Sequence, residues 1–178
     1  MRGTGGFLQP EEIVKQLDIK KGMIIADFGC GAGYFAIPLA KLVGDQGKVY
    51  ALDILEQALE SVRSQAKLQG LFNIETKHCN LELANGSGLD SNSIDLVLLA
   101  NILFQSSKKD DIIKEAYRVL KPKGEIMVID WKFNQPMGPP PDLIVSQDSI
   151  KKMVNEAGLK FKKEIPVDKY HWGMIFTK

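Results

Sequence analysis

MIIADFGCGAGYFAIPLAKL, residues 23–42, is the stretch on which the fold turns. Residues 23–28 form a short apolar run with one late carboxylate, Asp27, the pattern of a strand buried on both faces of a parallel sheet. Gly29, Gly31 and Gly33 follow at alternate positions, and after Tyr34 the apolar residues Phe35, Leu39, Leu42 and Val43 recur at helical spacing. Pro38 is compatible with that helix only in or near its first turn. A strand, a glycine turn and a helix let a ligand approach main-chain N–H groups at a helix N-terminus, which is the description of a nucleotide or anion site. The spacing is not the dinucleotide fingerprint Gly-x-Gly-x-x-Gly, because its third glycine, counted from Gly29, would fall on Tyr34. No Gly-Lys-Ser/Thr is present, which removes a phosphate-cradling P-loop.

The next apolar run, residues 48–54 (KVYALDI), reads as a second buried strand ending in Asp53, 20 residues beyond Gly33. An acid at the carboxyl end of the strand after a glycine turn is placed to accept both ribose hydroxyls of an adenosine. Asp is also a good helix N-cap, and the helix expected over residues 55–69 would use one. Together, an acid just before Gly-x-Gly-x-Gly and a second acid-tipped strand resemble the class I S-adenosylmethionine-dependent methyltransferases. The resemblance implies S-adenosylmethionine as cofactor, held by Asp27, Gly29, Cys30, Gly31 and Gly33 at the turn and by Asp53 and Ile54 on the second strand.

Residues 73–79 (NIETKHC) read as a third strand followed by Asn80 and Leu81. Methyltransferases of this type usually carry Asp there for the adenine amino group, with the next residue packed on the ring. Asn80 departs from that, although its amide oxygen also accepts hydrogen bonds. His78, one residue earlier, reads as a surface or packed side chain. Residues 83–92 (LANGSGLDSN) are polar and turn-forming, so the helix usually found between strands three and four is expected to be very short or missing. Residues 93–100 (SIDLVLLA) form the fourth strand, after which Asn101 resembles the position beneath the methionine part of the cofactor. The continuation Asn101-Ile102-Leu103-Phe104-Gln105 is neither Asn-Pro-Pro-Tyr nor Pro-Cys, so base methylation of nucleic acid is unsupported.

Residues 108–120 form an amphipathic helix stopping at Lys121-Pro122-Lys123-Gly124, and YRVLKPKGEIMVIDW (residues 117–131) resembles the Arg-Val-Leu-Lys-Pro-Gly-Gly run of this superfamily, with Lys123 in place of its first glycine. The fifth strand is expected over residues 124–131. Residues 133–142 (FNQPMGPPPD) make a proline-rich loop at the carboxyl edge of the sheet, readable as a substrate lid or as a rigid linker. A helix over residues 149–157, capped by Ser146 or Asp148, and two strands over residues 159–166 and 170–177 complete the chain. Before the central stretch, residues 10–17 begin a helix with a proline and two acids. Phe7 and Leu8 read as apolar anchors, or as the segment that folds over the cofactor in the family resembled.

Alternating β and α segments call for a parallel sheet covered by helices. The resemblance implies an α/β, Rossmann-like doubly wound sheet of seven strands in the order 3-2-1-4-5-7-6, strand 7 antiparallel, with helices on both faces. The expected organisation is one domain over residues 1–178, with residues 1–20 as an N-terminal arm and helix and residues 21–178 as the core. A net charge of +1 gives no general pull toward nucleic acid or membrane, and no apolar run approaches the roughly 20 residues of a membrane span. Cys30 and Cys79 lack metal-ligand spacing and read as reduced structural thiols, in keeping with a soluble cytoplasmic protein.

The expected activity is methyl transfer by direct displacement to a small-molecule acceptor. His171 is the best available general base, and Phe104, Trp131 and Tyr170 are candidate pocket walls. The bland reading of Tyr170-His171-Trp172 has the aromatics packing and the histidine meeting solvent. Rival functions are a non-catalytic cofactor-binding or partner subunit, and a nicotinamide-dependent oxidoreductase, which shares the acid-tipped second strand but not the glycine spacing.

Overall fold

The computed structural model describes residues 8–178, so Phe7 and the glycine-rich start lie outside the described residues. In chain order the elements are α1 (Pro10–Val14), β1 (Ile24–Phe28), α2 (Ala36–Val43), β2 (Lys48–Asp53), α3 (Glu56–Leu68), β3 (Ile74–His78) and β4 (Ile94–Ala100). A 3₁₀ turn (Leu103–Gln105), α4 (Lys109–Val119), β5 (Leu120–Trp131), α5 (Gln147–Glu156), β6 (Lys160–Ile165) and β7 (His171–Thr177) follow. The strands form one seven-stranded sheet in the order β3-β2-β1-β4-β5-β7-β6. β1 to β5 run parallel, and β7 pairs antiparallel with both β5 and β6.

Connectivity reverses between β1 and β4: the chain first builds outward through β2 and β3, then returns to lay β4 and β5 on the other side of β1. Such a switch point leaves a crevice at the carboxyl ends of the strands, because the two connections leave in opposite directions. Asp27 lies opposite Leu98 across that pair, so the glycine turn and Asn101 flank the crevice.

Both faces are apolar, which is why the central strands read as unbroken hydrophobic runs. Ile25, Val49, Leu98 and Ile129 pack with α1, α2 and α3 on one face, through Ile13, Leu39 and Val62. Phe28, Leu99 and Val128 pack with α4 and α5 on the other, through Ile113, Ala116 and Ile150. Leu8 is buried with the first group, the apolar anchor expected of it.

Three boundaries differ from expectation for identifiable reasons. α1 ends at Val14 because the chain tightens, Gln16 and Leu17 donating to Ile13 and Val14 three residues back. β5 begins at Leu120: Leu120 pairs with Ile94, and the register slips before Glu125 pairs with Leu96. Lys123 takes up that slip at φ 68°, the left-handed conformation that a glycine holds more readily. α5 starts at Gln147, with the Ser146 hydroxyl accepting the Ser149 N–H at 3.1 Å.

No helix forms over residues 83–92, and that segment is instead held from beneath by a buried carboxylate. Glu115 on α4, 4% exposed, accepts from the Ser87 N–H at 3.0 Å and from Arg118 Nε and Nη2 at 2.8 and 2.7 Å. Arg118 also donates to the Leu89 carbonyl at 2.8 Å. Replacing Glu115 with Ala leaves the Ser87 N–H without its acceptor and Arg118 without its counter-charge. It should destabilise the fold by about 2–3 kcal/mol in urea unfolding, whereas a surface ion pair such as Lys15–Glu12 should change little.

Candidate functional site

The ends of β1, β2 and β3 close around a cleft of about 400 Å³. Of the residues expected to hold a cofactor, Gly29, Gly31, Asp53, Ile54, Asn80 and Leu81 line it together, with Leu55, Ala58, Cys79, Glu82, Ile102, Gln105 and Ser106. The last seven escaped the sequence reading, although each sits within a few positions of a residue that was singled out. Ile54 and Leu55 are exposed on the rim, giving the cleft an apolar lip beside a carboxylate.

The glycine turn works by close approach rather than by free N–H groups. Gly29 and Cys30 both donate to the Leu52 carbonyl, at 2.8 and 2.9 Å, and Gly33 donates to Cys30. Gly31 donates to Asp53 Oδ2 at 2.9 Å. The turn therefore offers none of these four donors to an anion. Gly29 sits at φ 73°, and a Cβ there would lie 2.6 Å from Ile102 Cδ1, so only glycine lets the loop after β4 close against the turn.

Asp53 is not itself the cap residue of α3, since that position is Leu55, but its Oδ1 accepts the Leu55 N–H at 2.9 Å. Each carboxylate oxygen thus spends one lone pair on the backbone and keeps one for the cleft. Asn80 is held in the same manner: Oδ1 accepts the Glu82 N–H at 2.9 Å. His78 is exposed, with its ring Nε2 2.8 Å from the Ile54 carbonyl.

Behind the turn, Asp27 is 2% exposed. The Ala36 N–H at the start of α2 reaches one of its oxygens, and Oδ2 has no partner among the described residues. Burial, and then the nearby Asp53 charge, push its carboxyl up to about 7. Cys30 is also buried, and burial with the Asp27 charge raises its thiol far above the ordinary range; burial pushes Cys79 up to about 11. Both thiols are held protonated and are poor nucleophiles.

A second group stands at the ends of β4, β5 and β7. Asn101 leaves β4 at φ 55°, its N–H donating to the Ile129 carbonyl at 2.9 Å. Its Nδ2 lies 3.3 Å from His171 Nε2, and His171 Nδ1 lies 2.9 and 3.0 Å from the two oxygens of Asp168. This pairing is that of a neutral imidazole with its proton on Nδ1. His171 is 1% exposed, so the reading in which it meets solvent is overturned. Burial lowers its pKa, and the Asp168 carboxylate opposes that shift.

The Trp131 ring stands over the imidazole with centroids 4.1 Å apart. Trp131 Nε1 and Asn101 Oδ1 are buried without partners among the described residues. The proline-rich loop lies on this tryptophan: a Cβ on Gly138 would come within 2.7 Å of its ring, so glycine lets the loop seat there. Tyr170 is buried beside His171, its N–H donated to Asp168 Oδ1 at 2.7 Å. Phe104 stands apart from both groups. Its N–H donates to Asp130 Oδ2 at 3.3 Å, while its neighbours Ile102, Gln105 and Ser106 line the cleft.

Asp130 and Asp168 were missed. Asp130 ends an apolar run (IMVID) as Asp27 and Asp53 end theirs, and that repeated signature was the available signal. It is fully buried, and burial pushes its carboxyl up to about 6 against the opposing N–H groups of Trp131 and Phe104 and the charge of Lys109. Asp168 gave no local signal beyond standing three residues before His171.

A cleft at the switch point of a doubly wound sheet, with a carboxylate-tipped second strand, defines a Rossmann-like nucleotide-binding protein. Comparison with known proteins carries this further. A family model described as a methyltransferase domain matches residues 19–172. The crystal structure of a SAM-dependent methyltransferase from Aquifex aeolicus superposes with a TM-score of 0.86 at 30% identity, covering 96% of this chain and 89% of that one. Demethylmenaquinone methyltransferases from Geobacillus kaustophilus and Listeria welshimeri are 32% and 33% identical over 126 and 121 residues, or 71% and 67% of this chain. The chain spans about half the length of these curated relatives, 52% and 50%. It belongs to the S-adenosylmethionine-dependent methyltransferase family.

The buried Asp27 gives a direct stability test. An unfolded aspartate titrates near 3.8 and the native one near 7, so ionisation opposes folding. The stability that Asp27 allows is fully present below pH 3.8 and is lost as pH rises toward 7. Asp27→Asn should remove that loss, gaining on the wild type by at most about 4 kcal/mol between pH 4 and 8 in urea midpoints.

Proposed function

We propose that this chain transfers a methyl group from S-adenosylmethionine by direct displacement to a small-molecule acceptor. The observation that carries the reading is the convergence of Asp53, Asn80, Leu81 and the glycine turn on one cleft at the switch point. The residues present fit the cofactor. Asp53 keeps a lone pair on each oxygen for the ribose hydroxyls, Asn80 has a carboxamide for the base, and Leu81 and Ile54 offer apolar contact. The unpartnered oxygen of Asp27, behind Gly29, Cys30, Gly31 and Gly33, suits the cationic methionine end, with Asn101 across the crevice. Bound there, S-adenosylmethionine supplies a methyl carbon already activated by a positive sulfur, so the protein needs neither a nucleophile of its own nor a metal.

What the chain must do is hold the acceptor in line and exclude water, which accounts for several kcal/mol in reactions of this kind. The group at the ends of β4, β5 and β7 is assigned to the acceptor. Trp131 forms a wall with Tyr170 beside it, the proline-rich loop closes over it as a lid, and Phe104, held by its N–H to Asp130, borders the acceptor from the loop after β4. His171 takes a proton where the acceptor arrives protonated, and Asp168 positions it by holding Nδ1–H. When Nε2 gains that proton, the Asn101 carboxamide turns to offer Oδ1 in place of Nδ2, which gives the imidazolium an acceptor.

Calorimetric titration with S-adenosylhomocysteine tests the reading, with NADH as control. Micromolar binding of the first and none of the second is expected; the reverse would reinstate the oxidoreductase, and binding without turnover on any acceptor would leave a partner subunit. Asp53→Ala should weaken binding by about 1–3 kcal/mol, roughly fivefold to 150-fold, through loss of charge-assisted ribose contacts. Affinity for the cationic S-adenosylmethionine should rise with pH up to about 7, where the buried Asp27 of the free protein ionises, and level off above it, and Asp27→Asn should flatten that rise.

A further inference from the structure

β3 is one edge of the sheet and β6 the other, and the two are defended differently. An open strand edge pairs with another chain unless like charges, a bulge or a proline prevent it. β6 has the first two: Lys160, Lys162 and Lys163 are exposed along it, and its register slips between Phe161 and Lys163. β3 has neither. Its register with β2 is unbroken, and its acid and its base, Glu75 and Lys77, are of opposite sign. The Asn73 carbonyl accepts from Val49 and the Cys79 N–H donates to Asp53, so by the alternation of a parallel ladder the odd-numbered residues of β3 bond to β2. The main-chain groups of Ile74, Thr76 and His78 therefore point out of the sheet.

We propose that this edge seats a second copy of the chain, β3 against β3, antiparallel about a twofold axis through Thr76. In that register Ile74, Thr76 and His78 exchange main-chain bonds with the other copy, and Glu75 faces its Lys77 at a pair where side chains come closest. Lys48 holds Glu75 Oε2 at 2.6 Å, which leaves Oε1 for that contact. A twofold interface must be self-complementary, and one acid and one base placed evenly about Thr76 are so. The helix above repeats the pattern. α3 packs over β2 and β3, and Arg63 donates to the Thr76 hydroxyl at 2.8 Å, which sets the middle of the helix beside the middle of the strand. Glu56, Glu60, Arg63 and Lys67 recur at helical spacing along one exposed side of α3, acids in its first half and bases in its second. With strands about 4.8 Å apart, the same axis brings the two α3 helices antiparallel at about 10 Å, a helix packing distance. Glu56 then meets Lys67 of the other copy, and Glu60 meets its Arg63. Strand and helix thus specify one axis from separate residues. Phe72, 95% exposed and two residues before β3, adds an apolar contact at each end of the pairing.

Sedimentation equilibrium of the wild type and three variants is the test, with circular dichroism confirming that each variant is folded. The wild type should have the mass of two chains in the micromolar range. Thr76→Pro removes an N–H that the single chain leaves facing outward, a place where an edge strand accepts proline, and should yield single chains. Lys67→Glu sets a like charge against Glu56 of the other copy, and Glu56→Lys does the same to its Lys67. Each should weaken self-association about tenfold, because symmetry reverses two pairs at once. Mixed together, these two variants should pair with each other, since both contacts then join opposite charges. Local damage to the fold would give no such rescue. A wild type that stays a single chain up to roughly 100 µM would overturn the inference and leave the edge to solvent or to a strand of another protein. A dimer that Thr76→Pro and Lys67→Glu leave intact would overturn it too, by placing the second copy on another face. Glu56, Lys67 and Thr76 do not line the cleft, so the outcome is independent of the cofactor reading.

Discussion

The carboxylate of Asp53 ties together the two turns on which the site depends. One oxygen takes the Gly31 N–H from the turn after β1, and the other takes the Leu55 N–H at the start of α3. Backbone bonds reinforce the junction: Gly29 and Cys30 donate to Leu52 at the end of β2, and Cys79 donates to Asp53 itself. Three strand ends are thereby locked to one another before any ligand is considered. A site built on such a scaffold is preorganised, so binding does not have to order the loops that make it.

The same edge concentrates polar groups that the interior would otherwise disfavour. Asp27, Asp130 and His171 are each at most 2% exposed. Burial of an unbalanced charge is costly, and the chain answers differently at each position. His171 is balanced by Asp168, Asp130 by the N–H groups of Trp131 and Phe104, and Asp27 by one backbone donor only. The least compensated of the three sits directly behind the glycine turn, where a cation is expected. Groups strained in this way mark functional positions more often than structural ones.

Asn101 joins the two regions. It follows β4 at the switch point, holds a left-handed backbone conformation and contacts the histidine on β7. Gln105 donates back to its carbonyl at 2.7 Å and lines the cleft. One short segment after β4 thus faces the cleft and the His171 group at once.

The seven strands and the acid-tipped turn were legible in the sequence because they follow from local rules: unbroken apolar runs, glycines where the chain must turn, and amphipathic helices between them. Asp27, Asp53 and Asn80 were visible for the same reason, since each stands within two residues of the carboxyl end of a strand and strand ends point at the crevice. The register slip at Lys123 was not, because pairing of β5 with β4 decides it rather than local propensity. Nor was the burial of His171: its neighbours Trp131, Asn101 and Asp168 come from three different segments, and a single chain read in order carries no record of who will cover whom. The polarity of the Asn80 amide is of this kind as well. The residue type is written in the sequence, but the backbone N–H that fixes which end is donor and which is acceptor exists only once the chain has turned.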